Sequence, residues 1–476
     1  MNIKTQYLYF GMALTILLAT GCIPSMVQRL ENKMVPESYV GSVDTTNTAQ
    51  IKWNEFFTDP YLVTLIDTAL KNNQELNITL QEINVAKSEV QGRKGAYLPF
   101  LGIGTGAGVD KPSRYTSKGA SDYSSVYEDN KHLPEPLPNY KLGVFASWEV
   151  DIWKKLRNAK TAANYRYLSS VEGRNFMVTR LVAEIAISYY ELMALDNQLA
   201  ILRSNILIQQ DALQIVRMQK DAAKVTELAV RRFEAEVLKN QSLQYEILQR
   251  IIETENHLNF LSGRFPQPLL RNSGAFLNLV PDTIFTGIPS QLLENRPDIK
   301  QADLNLIASK LDVKVAKAEF YPSLNINAGV GLEAFDFVHL IKVPESIIFT
   351  IAGDLMAPLI NRNGIKATYA SANARQKQAI FNYEMTILKA YVEVSNQLSK
   401  IGNLRQVYTL KLGQVDALTQ SITISTNLFR SARADYMEVL LTQRDALEAR
   451  MDLVEIKKEQ LSATVRMYQE LGGGWR

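Results

Sequence analysis

Proline is distributed so unevenly that it fixes most of what this chain can fold into. None occurs from Asn139 to Phe265, or from Leu359 to Arg476. A proline in a helix interior costs about 3 kcal/mol, so these two stretches are open to very long helices. Glycine is sparse there too: Gly143, Gly173 and Gly263 in the first, and Gly364, Gly402 and Gly413 ahead of the C-terminal cluster in the second. Both are rich in Ala, Leu, Gln, Glu, Arg and Lys, the strong helix formers. Apolar residues recur at helical spacing, as in Leu181, Ile185, Leu192, Leu195 and Leu199, and again in Leu440, Leu447, Met451 and Val454. The pattern predicts helices of roughly 60 residues, each about 90 Å long at about 1.5 Å per residue. A helix of that length needs coiled-coil neighbours along its course.

Four short segments break the helical pattern with alternation of period two: 100–109, 140–151, 324–333 and 347–356. In the first, Leu101, Ile103, Thr105, Ala107 and Val109 share one face, and Gly102, Gly104, Gly106 and Gly108 the other. In the second, Tyr140, Leu142, Val144, Ala146, Trp148 and Val150 alternate with Lys141, Gly143, Phe145, Ser147, Glu149 and Asp151. About ten residues with one apolar and one polar or small face is the strand of an outer-membrane barrel. The other solution is two hairpins of a soluble sandwich. Four strands cannot close a membrane barrel, whose smallest members have about eight. A dimer would supply eight strands and a trimer twelve, and the residues alone do not choose. The loop between the first two strands, 110–139, is long and rich in Ser, Tyr and Pro, as barrel loops facing the exterior are.

The N-terminus adds an address. Lys4 precedes an apolar run from Tyr7 to Ala19, too short for a spanning helix but suited to a signal-peptide core. It ends in Leu17-Leu18-Ala19-Thr20-Gly21-Cys22, which resembles a bacterial lipoprotein signal, although an ordinary signal peptide with an incidental Cys also fits. That resemblance implies a diacylglyceryl group and palmitate on Cys22 after cleavage. Three acyl chains at about 0.8 kcal/mol per buried methylene would anchor firmly. Ile23 follows, not the Asp that commonly retains lipoproteins at the inner membrane, so the implied destination is the outer membrane of a Gram-negative bacterium. Beyond Cys22 no window of 18 apolar residues occurs, so any crossing must be made by barrel strands.

Composition excludes more than it assigns. Lys+Arg number 52 against 49 Asp+Glu, a net charge of +3 that gives no reason to expect nucleic acid. One Cys and three His leave little for a disulfide, a zinc site or proton-transfer chemistry. No Walker loop, H-E-x-x-H or G-x-S-x-G occurs, and the glycines of 102–108 lack the Rossmann spacing. The chain reads as a non-enzyme with no cofactor beyond the lipid on Cys22 and no metal.

The chain also repeats itself. A shift of 223 positions lays Pro99 on Pro322, Leu101 on Leu324, Ile103 on Ile326 and Gly106 on Gly329, and the proline-free stretches match at a slightly shorter offset. The expected organisation is a signal peptide over 1–21, a lipid-anchored extension over 22–59, a first repeat over 60–265, a connecting segment over 266–296, and a second repeat over 297–476. Each repeat reads helix, strand, strand, very long helix, returning helix.

Several runs carry a family resemblance. They are Trp53-Asn54-Glu55-Phe56-Phe57-Thr58-Asp59-Pro60, Trp148-Glu149-Val150-Asp151-Ile152-Trp153, Arg296-Pro297-Asp298-Ile299, Phe320-Tyr321-Pro322-Ser323 and the terminal Leu471-Gly472-Gly473-Gly474-Trp475. In that order and spacing, across essentially the whole chain after Cys22, they resemble a TolC-like outer-membrane factor of the lipoprotein (OprM/NodT-like) branch, which serves tripartite resistance-nodulation-division efflux pumps. Two departures stand out. Lys154 and Lys155 occupy the first junction where relatives usually have Gly. Neither helical tip, Lys220-Asp221-Ala222-Ala223-Lys224 or Ser431-Ala432-Arg433-Ala434-Asp435, has the frequent Gly.

The resemblance implies a mainly α protein: a homotrimer with a twelve-helix α-barrel in the periplasm and a shared twelve-stranded β-barrel in the outer membrane. It implies an exit duct that passes small molecules such as drugs, unmodified, after docking with a periplasmic adaptor and an inner-membrane pump. A channel for type I protein secretion is the near alternative, and a lipid-anchored coiled-coil structural protein the remote one. Gate candidates, chosen by position near the tips, are Leu428, Phe429, Arg430, Arg433, Asp435 and Tyr436, with Arg217, Lys220 and Asp221 at the other tip. At each of these positions a solvated turn, where charges are usual, is the plainer account.

Overall fold

The computed structural model describes residues 23–26, 29–39, 46–128, 130–281, 284–358, 360–431 and 433–476. The signal-peptide segment 1–21 and Cys22 lie outside the described residues. The chain divides into two compact units, each built from separated stretches. One takes residues up to Leu30, Asn84–Leu168 and Leu304–Ile380; the other takes Glu31–Ile83, Ser169–Asp303 and Phe381–Arg476. Both units therefore draw on both sequence repeats.

In chain order the main elements are α1 (Pro60–Asn72), α2 (Gln74–Tyr97), β1 (Phe100–Asp110), β2 (Leu137–Val150), α3 (Lys155–Asp221) and α4 (Glu227–Leu261). After the connecting segment come α5 (Pro297–Ala318), β3 (Ser323–Ala334), β4 (Ile347–Met356), α6 (Asn363–Arg430) and α7 (Tyr436–Glu470). The repeat is now visible as structure. Phe100 and Ser323, which open β1 and β3, stand 223 positions apart, whereas Lys155 and Asn363, which open the long helices, stand 208 apart. The difference is absorbed in the loops. Between β1 and β2 lie a helix (Ser117–Ser124) and a short pair of strands (Val126–Glu128 and Lys131–His132); between β3 and β4 there is one helical turn (Phe337–Leu340). The long helices run 67 and 68 residues. Among the described residues no helix is long and apolar enough to cross a membrane.

The four strands form one antiparallel sheet in the order β1-β2-β3-β4. Register places apolar residues in rows across it: Ile103 opposite Val144, Val144 opposite Val330, and Val330 opposite Phe349. Ile103 and Phe349 are more than four-fifths exposed. An apolar face left uncovered by the protein is what a strand in contact with lipid requires. On the opposite face Phe145 sits over glycines. A Cβ added at Gly104 or Gly329 would lie 3.0 Å from its ring. Gly143 and Gly331 are paired across β2 and β3, and a Cβ at either would come within 2.8 Å of a backbone carbonyl oxygen. Gly104 and Gly329 therefore leave space for a ring, and Gly143 and Gly331 for close strand approach.

β2 begins at Leu137, three residues before the sequence expectation. Pairing with β1 continues to Asp110 opposite Leu137, while pairing with β3 begins only at Tyr140. Pro138 lies beyond the β3 pairing, opposite Val109 of β1. At its other end β2 stops before Asp151, because that carboxylate turns back to cap α3. It accepts from the backbone N–H of Leu156 (3.0 Å) and Arg157 (2.9 Å) and from the Arg157 side chain. Burial alone would raise the Asp151 pKa, but these donors outweigh it and hold the carboxyl below its ordinary range. Lys154, at the first junction, adopts a left-handed backbone with φ 60°.

The helical unit has its own core. Leu62, Ile66 and Ala69 of α1 pack with Val182, Ile185, Tyr189 and Leu192 of α3, Leu258 of α4, and Val454, Val465 and Tyr468 of α7. The Asp59-Pro60 pair starts α1 by its own chemistry. Asp59 accepts from the N–H of Tyr61 (2.8 Å), and Pro60 sits where no N–H is needed. The other Asp59 oxygen accepts a hydrogen bond from the Tyr189 hydroxyl at 2.8 Å. Phe56 stacks on Tyr468 at 4.0 Å.

Arg296 explains the Arg-Pro-Asp run. It is buried, donates to Asp298 (2.7 Å), to Glu393 of α6 (2.8 Å) and to the carbonyl of Glu470 in α7 (3.1 Å), and so ties three helices. Burial opposes its charge, and the two carboxylates restore it. The connecting segment holds short turns over Ser273–Asn278 and Pro289–Gln291 and a helical turn over Leu292–Asn295.

Candidate functional site at the two helical turns

Both candidate tips are turns between a long helix and its return. In the first, α3 ends at Asp221 and α4 begins at Glu227. The N–H of Lys224 bonds the Gln219 carbonyl at 2.9 Å, closing a six-residue loop around Ala223 at φ 58°. This is the bond pattern that ends helices with a left-handed residue, a place usually given to Gly. The second turn repeats it, with the N–H of Arg433 on the Leu428 carbonyl at 2.9 Å. The two turns thus share this backbone bond, and neither contains glycine.

Their electrostatics differ. Arg217 and Lys220, in the last turns of α3, face α4. Lys220 pairs with Glu227 at 3.3 Å and Arg217 with Glu234 at 3.3 Å. Arg231 bridges the same two carboxylates at 2.9 and 3.0 Å. The Lys220 hydrogen bond, then its charge and that of Arg231, lowers the Glu227 pKa. Asp221 lies at the end of the ladder, 3.9 Å from Lys220. At the second turn Arg430, Arg433 and Asp435 are exposed, and among the described residues none has an ion-pair partner. Asp435 occupies the N-cap of α7, yet its carboxylate makes no capping bond.

Beneath the charges lies an apolar seat. Leu213 and Val216 of α3 and Val230, Phe233 and Val237 of α4 form a buried cluster, onto which Tyr436 and Leu440 of α7 pack. The rings of Phe233 and Tyr436 are 6.5 Å apart. Tyr436 is therefore a packing residue that joins the second turn to the first. Leu428 and Phe429, in the last turn of α6, are partly exposed and outside this cluster. Glu227, Arg231 and Phe233 went unnoticed in the sequence, and Glu234 read there only as part of a solvated helix face. The signal was the i, i+4, i+7 spacing of Glu227, Arg231 and Glu234 on one face of α4. Among the described residues no group of three or more His, Cys, Asp or Glu is placed to hold a metal ion.

Four barrel-type strands joined to two hairpins of very long helices with charged turns define an outer-membrane channel protein. Known proteins agree. Residues 65–264 and 288–473 match the profile of the Outer membrane efflux protein family, and the chain belongs to that family. It is 25% identical over 443 residues to the solvent efflux pump outer membrane protein SrpC of Pseudomonas putida, covering 92% of this chain and 91% of that one. It is 24% identical over 456 residues to the probable outer membrane lipoprotein SilC of Salmonella typhimurium, covering 95% and 93%. A crystal structure of a membrane protein from Pseudomonas aeruginosa matches with a TM-score of 0.84 at 23% identity, over 94% of this chain and 99% of the other. The protein is the outer-membrane exit duct of an efflux pump.

Proposed function

We propose that three copies of this chain close one twelve-stranded barrel in the outer membrane, with the helical hairpins forming a periplasmic tunnel that docks with an adaptor and an inner-membrane pump. The observation that carries this is the open sheet. Among the described residues β1 and β4 each pair on one side only, and four strands cannot close a barrel. Unpaired strand edges are intolerable in hydrocarbon, so each open edge needs the opposite edge of another copy. Solutes pass without bond chemistry, so no catalytic group is required. The mass of the detergent-solubilised protein and its conductance in planar bilayers test the reading. Three copies with measurable conductance support it; a non-conducting monomer refutes it.

Arg430, Arg433 and Asp435 of the second turn, exposed and without an ion pair among the described residues, are the ones to pair with a neighbouring copy and narrow the tunnel mouth, with Leu428 and Phe429 as its apolar lining. Arg217, Lys220 and Asp221 brace the first turn instead, and Tyr436 seats the second turn on it. If the second turns converge, Ser431→Cys is joined between copies by a short bis-maleimide; only unlinked chains on a denaturing gel would refute closure there. Lipid on Cys22 would add a membrane anchor, checked by palmitate labelling that Cys22→Ser abolishes.

A further inference from the structure

The connection between β3 and β4 lies at the end of the sheet away from the long helices, the end that faces the exterior. A cluster of exposed apolar side chains there marks an interaction surface. The single helical turn of this connection, Phe337–Leu340, leaves Phe337 67% and Val338 66% exposed, and Ile341, which follows it, 76%. Ile341 stands at i+4 from Phe337 and i+3 from Val338, the spacing that puts all three on one side of a helical turn. In the longer 110–139 loop the most exposed large side chains are instead Tyr115 and Tyr123, whose hydroxyls suit water.

The opposite side of the turn is pinned by polar contacts. Asp336 caps it, accepting from the His339 backbone N–H at 2.7 Å and lying 2.6 Å from the ring Nδ1 of the same residue. The other ring nitrogen stands 3.3 Å from Glu128, on the short hairpin of the first loop, and Lys342 pairs with Glu128 at 3.3 Å. Tyr127 of that hairpin packs edge-on against Phe335 and His339. The turn is therefore amphipathic, with its polar side held by the protein and its apolar side presented outward.

The direction of that apolar side is given by Phe337, whose ring lies 4.2 Å from the ring of Tyr140. Tyr140 is the outer end of the apolar row Tyr140, Leu142 and Val144 on β2, the face in contact with lipid. The patch continues the lipid-facing surface past the end of the strand, at the level where aromatic side chains gather in membrane barrels.

We propose that this turn is seated in the outer leaflet of the membrane, with Phe337, Val338 and Ile341 below the headgroups and the His339 side held by the first loop. Apolar faces that lie along a membrane sink about 5–10 Å into the boundary between headgroups and chains. The proposal rests on the barrel reading and adds a contact that strand pairing does not need, since the same barrel would close with this loop in water.

The test uses the assembled, full-length protein in vesicles of palmitoyl-oleoyl phosphatidylcholine containing nitroxide-labelled (doxyl) phosphatidylcholine. Ile341→Cys, Tyr115→Cys and Ile351→Cys each carry a thiol-linked bimane, and the labelled wild type is the blank for Cys22. Tyr115, fully exposed in the first loop, is the aqueous reference; Ile351, on the apolar face of β4, is the lipid reference. At Ile341 the bimane should lose most of its emission to a nitroxide near the glycerol and less to one near the chain end. Iodide in the water should quench it severalfold less than at Tyr115. Val338→Cys should behave alike, and it decides the matter if Ile341→Cys does not assemble. Quenching at Ile341 by iodide and not by lipid would overturn the proposal. So would protection from both, the mark of a second copy covering the patch. Lipid quenching at Ile351 alone would remove only this contact and leave the barrel standing; lipid quenching at neither site would remove both.

Discussion

The two helical turns are built alike and charged differently. Each ends its long helix with the same six-residue backbone loop, Lys224 to Gln219 and Arg433 to Leu428. The first then spends its charges internally, in a ladder of Arg217, Lys220, Glu227, Arg231 and Glu234. The second leaves Arg430, Arg433 and Asp435 exposed and, among the described residues, unpaired. Repetition of sequence has conserved a backbone solution while the side chains have separated into a brace and a contact. A charge already neutralised by its own hairpin has little left for a neighbour; an unpaired one in solvent, though screened at longer range, can still pair at contact distance.

The comparison can be broken most severely from below. Phe233 is buried under both turns, and Phe233→Ala should cost about 3 kcal/mol. Amide exchange should then rise in α3, α4 and the start of α7 together. Protection lost in α4 alone would mean that Tyr436 does not couple the turns. A smaller change concerns the backbone. Ala223 holds a left-handed φ of 58°, which costs a non-glycine residue roughly 1 kcal/mol. Ala223→Gly should therefore leave thermal stability unchanged or slightly raised, whereas Ala223→Val should lower it by more than about 1 kcal/mol. The exposed ladder itself should matter least. Lys220→Gln should barely move the melting temperature, and the small difference should vanish in 0.5 M salt, about the concentration at which screening reaches a few ångströms.

The helical body offers a pH control for the turns. Glu470 lies beside Arg296 and Glu393; burial, then the Glu393 charge, pushes its pKa up to about 7. Unfolded, it ionises near 4.5. Between those values the folded state holds a proton that the unfolded state has released, so this group's contribution to stability falls as pH rises from about 4.5 to about 7. Glu470→Gln removes that loss. The variant should match the wild type at pH 4.5 and exceed it in melting temperature at pH 8. An equal shift at both pH values would show that the proton is not the cause.

Much of this was legible in the residues. The absence of proline marked α3, α4, α6 and α7, and period-two alternation placed β1 to β4 to within a few residues. The Asp59-Pro60 and Arg296-Pro297-Asp298 runs were recognisable as signatures, but their work, a helix cap and a three-helix tie, needed coordinates. The elements inside the 110–139 loop were missed because Ser- and Pro-rich segments carry no periodicity. At the turns the position of the charges was readable and their pairing was not. Whether Arg217 meets Glu234 depends on which face of α4 turns toward α3, and Arg433, unlike Lys220, has no acid across from it among the described residues.

Single-channel conductance tests the central claim most directly. The Arg433→Gln/Asp435→Asn double variant, compared in planar bilayers with Lys220→Gln/Glu227→Gln and the wild type, separates contact from brace. Our account expects a severalfold higher conductance for the second-turn variant and an unchanged one for the first-turn variant. Equal conductance for all three, or opening by the first-turn variant alone, would contradict it.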